Sequence, residues 1–489
     1  MKKIKIISLM FLIAASTSCK KYLDINKNPN SPTDIEPSYI LSQALVASAN
    51  NHAGYYAALS QWMGYLSRSA SFAPNTAFES FQITQAQFQA NWTGPYHLIY
   101  DLNFIESKSQ EDGQNFFEGV AKILKSYWFQ NLVDMFNNIP YTEATQPGII
   151  NNPRYDDAKT VYEDLIKKID EGISLIKSAG SLSPSDTKYD ILWHGDKIKW
   201  IKLANSIKLR ILMRQTEVAG RASYIQTEIG KIVAEGTGFL AEGEDALINP
   251  GYENTNGKQS PFYANLGFTP NGTPATNFFR AHQFAIDFYK NNNDPRLDYV
   301  YRKPANGIHL GNWLGSAPNS NTTTSETGNG VIKTATSGFP FFLAVESLFL
   351  QAEAAQRGWL SSSAKDLYQR AVTASFNYYE VPNASAQAAT YYSQPGMVNV
   401  NWDDSPDKIQ AIAMQKWAGL NGVNAMEAWT EYRRTGYPKI LPASLSPSVT
   451  RNQIPYRGLY PQVEYDVNSA NVLDQGSISQ FDSKIFWMR

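Results

Sequence analysis

Hydrophobic residues recur every three to four positions along most of the chain, the spacing that places them on one face of an α-helix. Three stretches show the pattern clearly, with apolar faces made of Ile40, Leu41, Ala44, Leu45 and Ala49, of Tyr162, Leu165, Ile166, Ile169, Ile173 and Ile176, and of Trp200, Leu203, Ala204, Ile207 and Ile211. In the third stretch Lys and Arg occupy the other faces. The pattern predicts amphipathic helices stacked on a shared core, and therefore an all-α fold.

Start and stop signals predict two more helices in the C-terminal part of the chain. Ser405 is a good N-cap residue and Pro406 suits the first helical position, so we expect a helix to begin there. Asn421-Gly422 supplies a stop, because these residue types tolerate the left-handed conformation that ends many helices. The second helix follows this short break.

The segment from Glu346 to Val372 has the spacing of a tetratricopeptide hairpin. Ala352 is followed by Ala364, Tyr368 and Ala371 after twelve, sixteen and nineteen residues. Alanine on each helix lets the two backbones approach, and the tyrosine fills the gap to the neighbouring helix. The spacing predicts helical hairpins as the building unit of the fold.

Two long stretches between the helices have no regular pattern. Residues 249–277 combine Gly and Pro with four aromatic residues, and residues 304–338 are rich in Gly, Ser, Thr and Asn around Trp313. Irregular loops of this length in a compact domain are usually functional or disordered. The aromatic loop has too much apolar area to remain free in water, so we expect it to pack on the helices or on a ligand.

The first nineteen residues have the pattern of a lipoprotein export signal. Lysines precede an apolar run at residues 6–15, and three small residues precede Cys19. The run is too short to span a membrane, so we predict a signal peptide at residues 1–18 and lipidation of Cys19. Residues 19–38, rich in Asn and Pro at their start, are predicted to form a lipid-anchored tether, and residues 39–489 a single domain.

Composition and charge exclude several classes of protein. The 489 residues include 43 Lys and Arg against 44 Asp and Glu, and cleavage before Cys19 changes this balance to 40 against 44, a formal charge of −4. Such a balance gives no electrostatic basis for binding nucleic acid. One cysteine in the chain excludes a disulfide framework and a cysteine zinc cluster.

The residue types that carry most enzyme chemistry form no recognisable constellation. HExxH, a Gly-rich phosphate loop, a nucleophile elbow and a calcium loop are absent from the sequence. Glu346 and Glu353 share a helical face, but Glu353 lies between two alanines of the packed hairpin, where pairing with a basic residue is the better interpretation. We therefore predict no catalytic residue, metal or cofactor. Structural roles are predicted for the five histidines, His52, His97, His194, His282 and His309.

Aromatic side chains are the most informative feature for function. Tyr and Trp together number 39 against 24 Phe, so most rings carry a polar group. A sugar ring presents an apolar C–H face and a rim of hydroxyls, and an aromatic ring flanked by Asn, Gln or Arg can contact both. Residues 60–82 and 91–96 mix these types densely, although most rings of a helical protein fill its core.

Seven separated stretches resemble the SusD/RagB family of nutrient-binding outer-membrane lipoproteins, and more particularly its second large branch. They follow one another across essentially the whole mature chain: YLDINKNPNSPT (22–33), IPYTEA (139–144), GDKIKWIKLANSIKLRILMR (195–214), NDPRLDYVY (293–301), ESLFLQAEAAQRG (346–358), QKWAGLNGVNAMEAWTEYRRTGYP (415–438) and IPYRGLYPQVEYDVN (454–468). Their joint occurrence is far more specific than any one of them.

The resemblance implies about four tetratricopeptide-like hairpins with long inserted loops in one SusD-like domain. It also implies a non-catalytic lipoprotein, anchored in the outer membrane and facing the cell exterior. Such a protein lies over a SusC-like TonB-dependent transporter and delivers captured oligosaccharides or other nutrients to it. The motifs at residues 433–436 and 457–464 are interpreted as helix-packing and ion-pair positions.

Ligand sites of this family lie on loops, and by analogy we predict aromatic platforms with amide partners on the loop after the second helix and on the two long insertions. The predicted ligand-binding residues are Trp62, Phe72, Asn75, Trp92, Tyr263, Asn265 and Trp313. Two alternatives remain: a surface glycosidase on an all-helical scaffold, and a structural lid of the transporter that contacts ligand weakly.

Overall fold

The computed structural model describes residues 35–146 and 149–488. The predicted signal peptide, Cys19 and the tether as far as residue 34 lie outside the described residues. The first helix begins at Pro37, with the proline ring in the first turn where its missing N–H costs nothing. The boundary between tether and domain after residue 38 stays a prediction, and the first helix crosses it.

Helices make up about half of the described chain. They are α1 (Pro37–Trp62), α2 (Thr76–Glu79), α3 (Gln89–Glu111), α4 (Asn115–Phe136), α5 (Ala158–Ser178), α6 (Pro184–Tyr189), α7 (Lys197–Arg214), α8 (Ala222–Glu235), α9 (Pro261–Leu266), α10 (Gln283–Asn291), α11 (Leu297–Val300), α12 (Asn329–Ile332), α13 (Ala344–Gln356), α14 (Ala364–Tyr378), α15 (Ala384–Tyr392), α16 (Lys408–Gly419), α17 (Ala425–Thr435), α18 (Gln462–Val467) and α19 (Ser469–Leu473). The three helices predicted from hydrophobic spacing are confirmed as α1, α5 and α7.

Short strands connect the loops in antiparallel pairs. They are β1 (Leu66–Arg68), β2 (Ile139–Pro140), β3 (Tyr155–Asp156), β4 (Ala246–Ile248), β5 (Phe279–Ala281), β6 (Tyr301–Arg302), β7 (Glu326–Thr327) and β8 (Phe339–Phe342). The pairs are β1 with β5, β2 with β3, β4 with β8 and β6 with β7. The two stretches predicted to be irregular therefore contain ordered elements: α9 lies in the first, and β7 and α12 lie in the second.

The helices pack mainly against their neighbours in sequence. Helix α3 packs on α1 and α4, α4 on α5, α5 on α7, and α13 on α14 and α16. Helix α17 returns to pack on α1, which joins the C-terminal helices to the N-terminal ones. Consecutive helices buried against each other confirm the predicted all-α fold.

The predicted hairpin is formed by α13 and α14. Ala352, Tyr368 and Ala371 are all fully buried, and the Tyr368 ring lies edge-on to Phe349 at a centroid distance of 6.1 Å. The helix predicted to begin at Pro406 with Ser405 as its cap begins two residues later, at Lys408, because Asp407 caps it by accepting the amide of Gln410.

A layer of buried ion pairs holds the helices of the second half together. Arg434 binds both carboxylate oxygens of Glu353 at 2.8 and 2.6 Å and reaches Glu431 at 2.7 Å. Lys416 binds Glu427 at 2.6 Å. Although burial opposes ionisation, the guanidinium of Arg434 lowers the pKa of Glu353 to about 2. The predicted pairing of Glu353 with a basic residue is confirmed, and its role is structural.

Candidate ligand-binding surface

Strands β1 and β5 bring two loops together. Their antiparallel register places Arg68 opposite Phe279, so the loop that leaves β1 lies against the loop that enters β5. The Ser69 amide donates to the Phe278 carbonyl at 2.7 Å. The Phe72 ring meets the Phe278 ring edge-on at 5.1 Å between centroids and keeps 43% of its surface exposed. A supported loop thus presents an aromatic ring to solvent.

Trp313 lies on a third segment that is fastened to β1. The side-chain amide of Asn312 donates to the Arg68 carbonyl at 3.0 Å. The half-buried Trp313 ring meets the imidazole of His282 edge-on at 5.2 Å, and the Leu314 amide lies 3.2 Å from Nε2 of that imidazole. Burial lowers the pKa of His282 to about 3, so the imidazole is neutral at physiological pH and packs as an uncharged ring.

One guanidinium holds the loops of Phe72 and Trp313 in place. Arg68 is 6% exposed; its Nε donates to Glu79 at 2.7 Å and its Nη1 to the Phe72 carbonyl at 2.7 Å. Its Nη2 donates to the carbonyl of Ser316 at 3.4 Å, in the turn that follows Trp313. No role in the site was predicted for Arg68 from the sequence, where its position between two aromatic segments is a weak signal.

Amide side chains order the same loops. Asn75 caps α2 by accepting the Phe78 amide at 3.2 Å, and its own side chain is exposed. Asn321 accepts the Ala70 amide at 2.9 Å and donates to the Ser71 hydroxyl at 2.7 Å. The amides therefore connect the loop after β1 with the segment that carries Trp313.

A fourth segment, also missed by sequence analysis, completes the surface. The Leu445 amide donates to the Leu314 carbonyl at 2.8 Å, and the Ser444 hydroxyl donates to the Glu79 carbonyl at 2.5 Å. Leu445 keeps 47% of its surface exposed. We call residues 69–75, 276–278, 312–321 and 441–448 together the loop surface.

The loop surface is uncharged. Its four segments contain no Asp, Glu, Lys, Arg or His, and most of their polar residues are Ser and Asn. Exposed apolar groups and hydroxyl or amide groups alternate over it, so it can contact the C–H faces of a ligand and exchange hydrogen bonds with its rim. This chemistry suits a neutral polyhydroxylated ligand.

Tyr263 and Asn265 lie on α9, which precedes one segment of the loop surface in the chain. The Tyr263 ring is half-buried and its centroid is 6.2 Å from that of Phe268, while Asn265 is exposed. The chain then runs through residues 267–277 to Phe278, which contacts Phe72. Phe72, Asn75 and Trp313 are therefore brought together by direct contacts between their segments, and the α9 pair lies one loop away.

The structure contradicts two of the predicted ligand-binding residues, Trp62 and Trp92. Trp62 is 1% exposed and stacks on Phe78 at 5.1 Å in the core. Trp92 is 3% exposed, and its Nε1 donates to Glu464 at 3.1 Å. Both rings are enclosed by other side chains, so neither can serve as a platform for a sugar.

A comparison with protein families matches residues 29–461 to the SusD-like family described as "Starch-binding associating with outer membrane". The chain belongs to this family. Its members are binding proteins rather than enzymes, and they are associated with the outer membrane. Among the described residues, no helix of this SusD-like chain is long and apolar enough to cross a membrane.

Solved structures share the fold. A SusD homolog from Bacteroides fragilis has a TM-score of 0.76 at 19% identity, covering 93% of this chain and 100% of its own. A SusD-like protein from Bacteroides thetaiotaomicron has a TM-score of 0.75 at 23% identity, covering 92% and 98%. A chitin-binding SusD homolog from Flavobacterium johnsoniae has a TM-score of 0.72 at 22% identity, covering 91% and 98%. No curated protein sequence matches the chain.

A cavity of about 500 Å³ lies elsewhere in this SusD-like protein, between α3, α4 and α5. Its charged side chains already pair within the protein: Lys122 and Lys125 bind Glu106 at 2.9 and 2.7 Å, and Lys168 binds Glu171 at 3.2 Å. A ligand entering this cavity would strip hydration from these ion pairs without giving them new partners, which disfavours the cavity as a binding site. Within the described chain, no group of three or more His, Cys, Asp or Glu could hold a metal ion.

Proposed function

We propose that this protein is a cell-surface lipoprotein that captures oligosaccharides at the loop surface and delivers them to a SusC-like TonB-dependent transporter. It acts without catalysis. Lipid on Cys19 anchors the chain in the outer membrane, with the folded domain on the exterior side.

The proposal rests on an uncharged surface whose aromatic rings lie on loops held in place by hydrogen bonds. Phe72 and Trp313 are fixed on separate segments by one buried side chain, Arg68, and are flanked by Ser and Asn. Binding a flexible sugar chain costs conformational entropy, and a preorganised surface avoids adding the entropy of ordering its own loops. Binding a neutral ligand here carries no cost for desolvating a charge, because the four segments contain no ionised side chain.

Glycan binding is tested with the purified mature domain in affinity gels and by isothermal titration against neutral and acidic polysaccharides and peptides. We expect binding of at least one neutral glycan. Binding of peptides alone would contradict the sugar part of the proposal and leave nutrient capture in place. Release of reducing ends by the purified protein, abolished by a single carboxylate substitution, would favour a glycosidase instead.

Anchoring and delivery need a test in cells. Cys19→Ala should move the protein from the membrane fraction to the soluble periplasmic fraction, and its retention in membranes would contradict lipidation at this residue. The wild-type protein should co-purify with a TonB-dependent transporter. If Phe72→Ala leaves both co-purification and growth on the glycan unimpaired, the protein is a structural lid rather than a capture protein.

A further inference from the structure

A groove of about 370 Å³ lies between α10, α16 and the segment after α17. We call it the α10–α16 groove. It is lined by Phe284, Asp287, Phe288, Asn291, Asn292, Gln410, Met414, Tyr437 and Lys439. Its volume falls within the range of about 300–1,000 Å³ that small-molecule sites usually have.

The floor of the groove is apolar and its rim is polar. Phe284 and Phe288 pack edge-on against Trp417 at 5.4 and 5.1 Å, which fixes their rings. Tyr437 and Met414 add an aromatic ring and a thioether, both half-buried. The rim carries three side-chain amides, from Asn291, Asn292 and Gln410.

The charges of the groove offset each other. Asp287 accepts a hydrogen bond from Gln283 Nε2 at 2.6 Å. The ammonium of Lys439 lies 5.6 Å from the centroid of the Tyr437 ring, where cation–π attraction holds it. With one carboxylate and one ammonium among its lining residues, the groove carries no net charge, like the loop surface.

His282 joins the groove to the loop surface. The Phe284 amide lies 3.1 Å from Nδ1 of the imidazole and the Leu314 amide lies 3.2 Å from Nε2, while the ring contacts Trp313 at 5.2 Å. Residues 437–448 make a second connection, since Tyr437 lines the groove and Leu445 belongs to the loop surface. The two sites are therefore neighbours along both chain segments.

We propose that the α10–α16 groove is a second sugar-binding subsite, which takes a neutral residue of the same oligosaccharide that the loop surface holds. This inference rests on the proposed function and adds a substrate class, namely chains long enough to reach from one site to the other. The groove supplies an aromatic floor for the C–H face of a sugar and amides for its hydroxyls. Occupation of both sites by one chain raises its affinity, because the second contact is intramolecular.

The test uses soluble malto-oligosaccharides and chito-oligosaccharides of increasing length in isothermal titration. Wild-type affinity should rise with chain length. Tyr437→Ala and Gln410→Ala, which remove a ring and an amide from two different segments of the groove, should each lower the affinity for long chains about tenfold and leave the shortest bound chains unaffected. Tyr100→Ala is the matched control, since Tyr100 is 51% exposed on α3, outside both sites.

Unchanged affinity of both groove variants for long chains, with unchanged circular dichroism, would overturn the second subsite. If Phe72→Ala still weakens every chain length in that case, the proposed function stands and only this inference fails. If the wild-type protein binds neither these series nor any neutral glycan of the affinity panel, both the proposed sugar capture and the second subsite are contradicted. Equal losses for short and long chains in the groove variants would also overturn the inference, because the groove would then be part of the first site.

Discussion

Two glycines set the distance between α4 and α5, and enlarging one of them should weaken the fold. A Cβ added at Gly119 would lie 2.6 Å from the carbonyl oxygen of Gly172, and one added at Gly172 would lie 2.8 Å from the carbonyl oxygen of Gly119. Ordinary van der Waals contact begins near 3.4 Å, so Gly119→Ala requires the helices to separate by about 0.8 Å.

The expected cost follows from two opposing effects. Overpacking costs about 1–3 kcal/mol, and the upper end applies here because a backbone carbonyl cannot rotate away. Replacing glycine by alanine inside a helix returns about 1 kcal/mol. Gly119→Ala should therefore lower the free energy of unfolding by about 2 kcal/mol.

Gly230→Ala is the matched control. Gly230 lies inside α8, and a Cβ there would have no neighbour within 4 Å. This substitution should raise the free energy of unfolding by about 1 kcal/mol. Both variants are compared with the wild-type protein by urea unfolding followed by tryptophan fluorescence, where a shifted midpoint at constant slope reports stability. Equal effects of the two substitutions, or a stabilised Gly119→Ala, would refute the close helix approach.

Two further predictions concern buried glutamates. Glu353→Gln should lower the free energy of unfolding by about 3 kcal/mol, the lower end of the range for breaking a buried ion pair, because Arg434 loses its bidentate partner and keeps only Glu431. Urea unfolding measures this, and a loss below about 1 kcal/mol would contradict the pairing. Burial and the neighbouring Glu427 raise the pKa of Glu346 to about 7. The folded state therefore holds the proton of Glu346 more tightly than the unfolded state does. The stability that this proton contributes is complete below the unfolded pKa and is lost as the pH rises through about 7. The stability of Glu346→Gln relative to wild type should therefore increase between pH 4.5 and about 7, by up to about 3 kcal/mol, since a tenfold change in proton affinity is worth about 1.4 kcal/mol. A pH-independent difference would contradict the raised pKa.

The helical part of the fold could be predicted because its signal is local. Hydrophobic spacing identified α1, α5 and α7, and the alanine and tyrosine spacing identified the α13–α14 hairpin. Local cues were weaker at helix ends, where Asp407 rather than Ser405 provides the cap. The short strands were missed, because pairs of two to four residues depend on partners far away in sequence.

The candidate site was only partly predictable, because composition does not separate buried from exposed rings. Trp62 and Phe72 both lie in residues 60–82, and Trp92 lies in residues 91–96. Both segments are rich in polar residues. Trp62 lies three positions after Leu59, so hydrophobic periodicity could have indicated that its ring is in the core. No sequence pattern indicated the α10–α16 groove, because its lining residues come from three separate segments. The first and the last of these residues are more than a hundred positions apart.

The central claim, capture of a neutral oligosaccharide at the loop surface, is tested most directly by comparing two phenylalanines. Phe72 and Phe104 are 43% and 40% exposed, and only Phe72 lies on the loop surface, while Phe104 is on α3. Isothermal titration of a bound neutral glycan should show that Phe72→Ala weakens affinity about tenfold, whereas Phe104→Ala binds like the wild-type protein. Wild-type affinity of Phe72→Ala, or equal losses in both variants, would contradict capture at this surface.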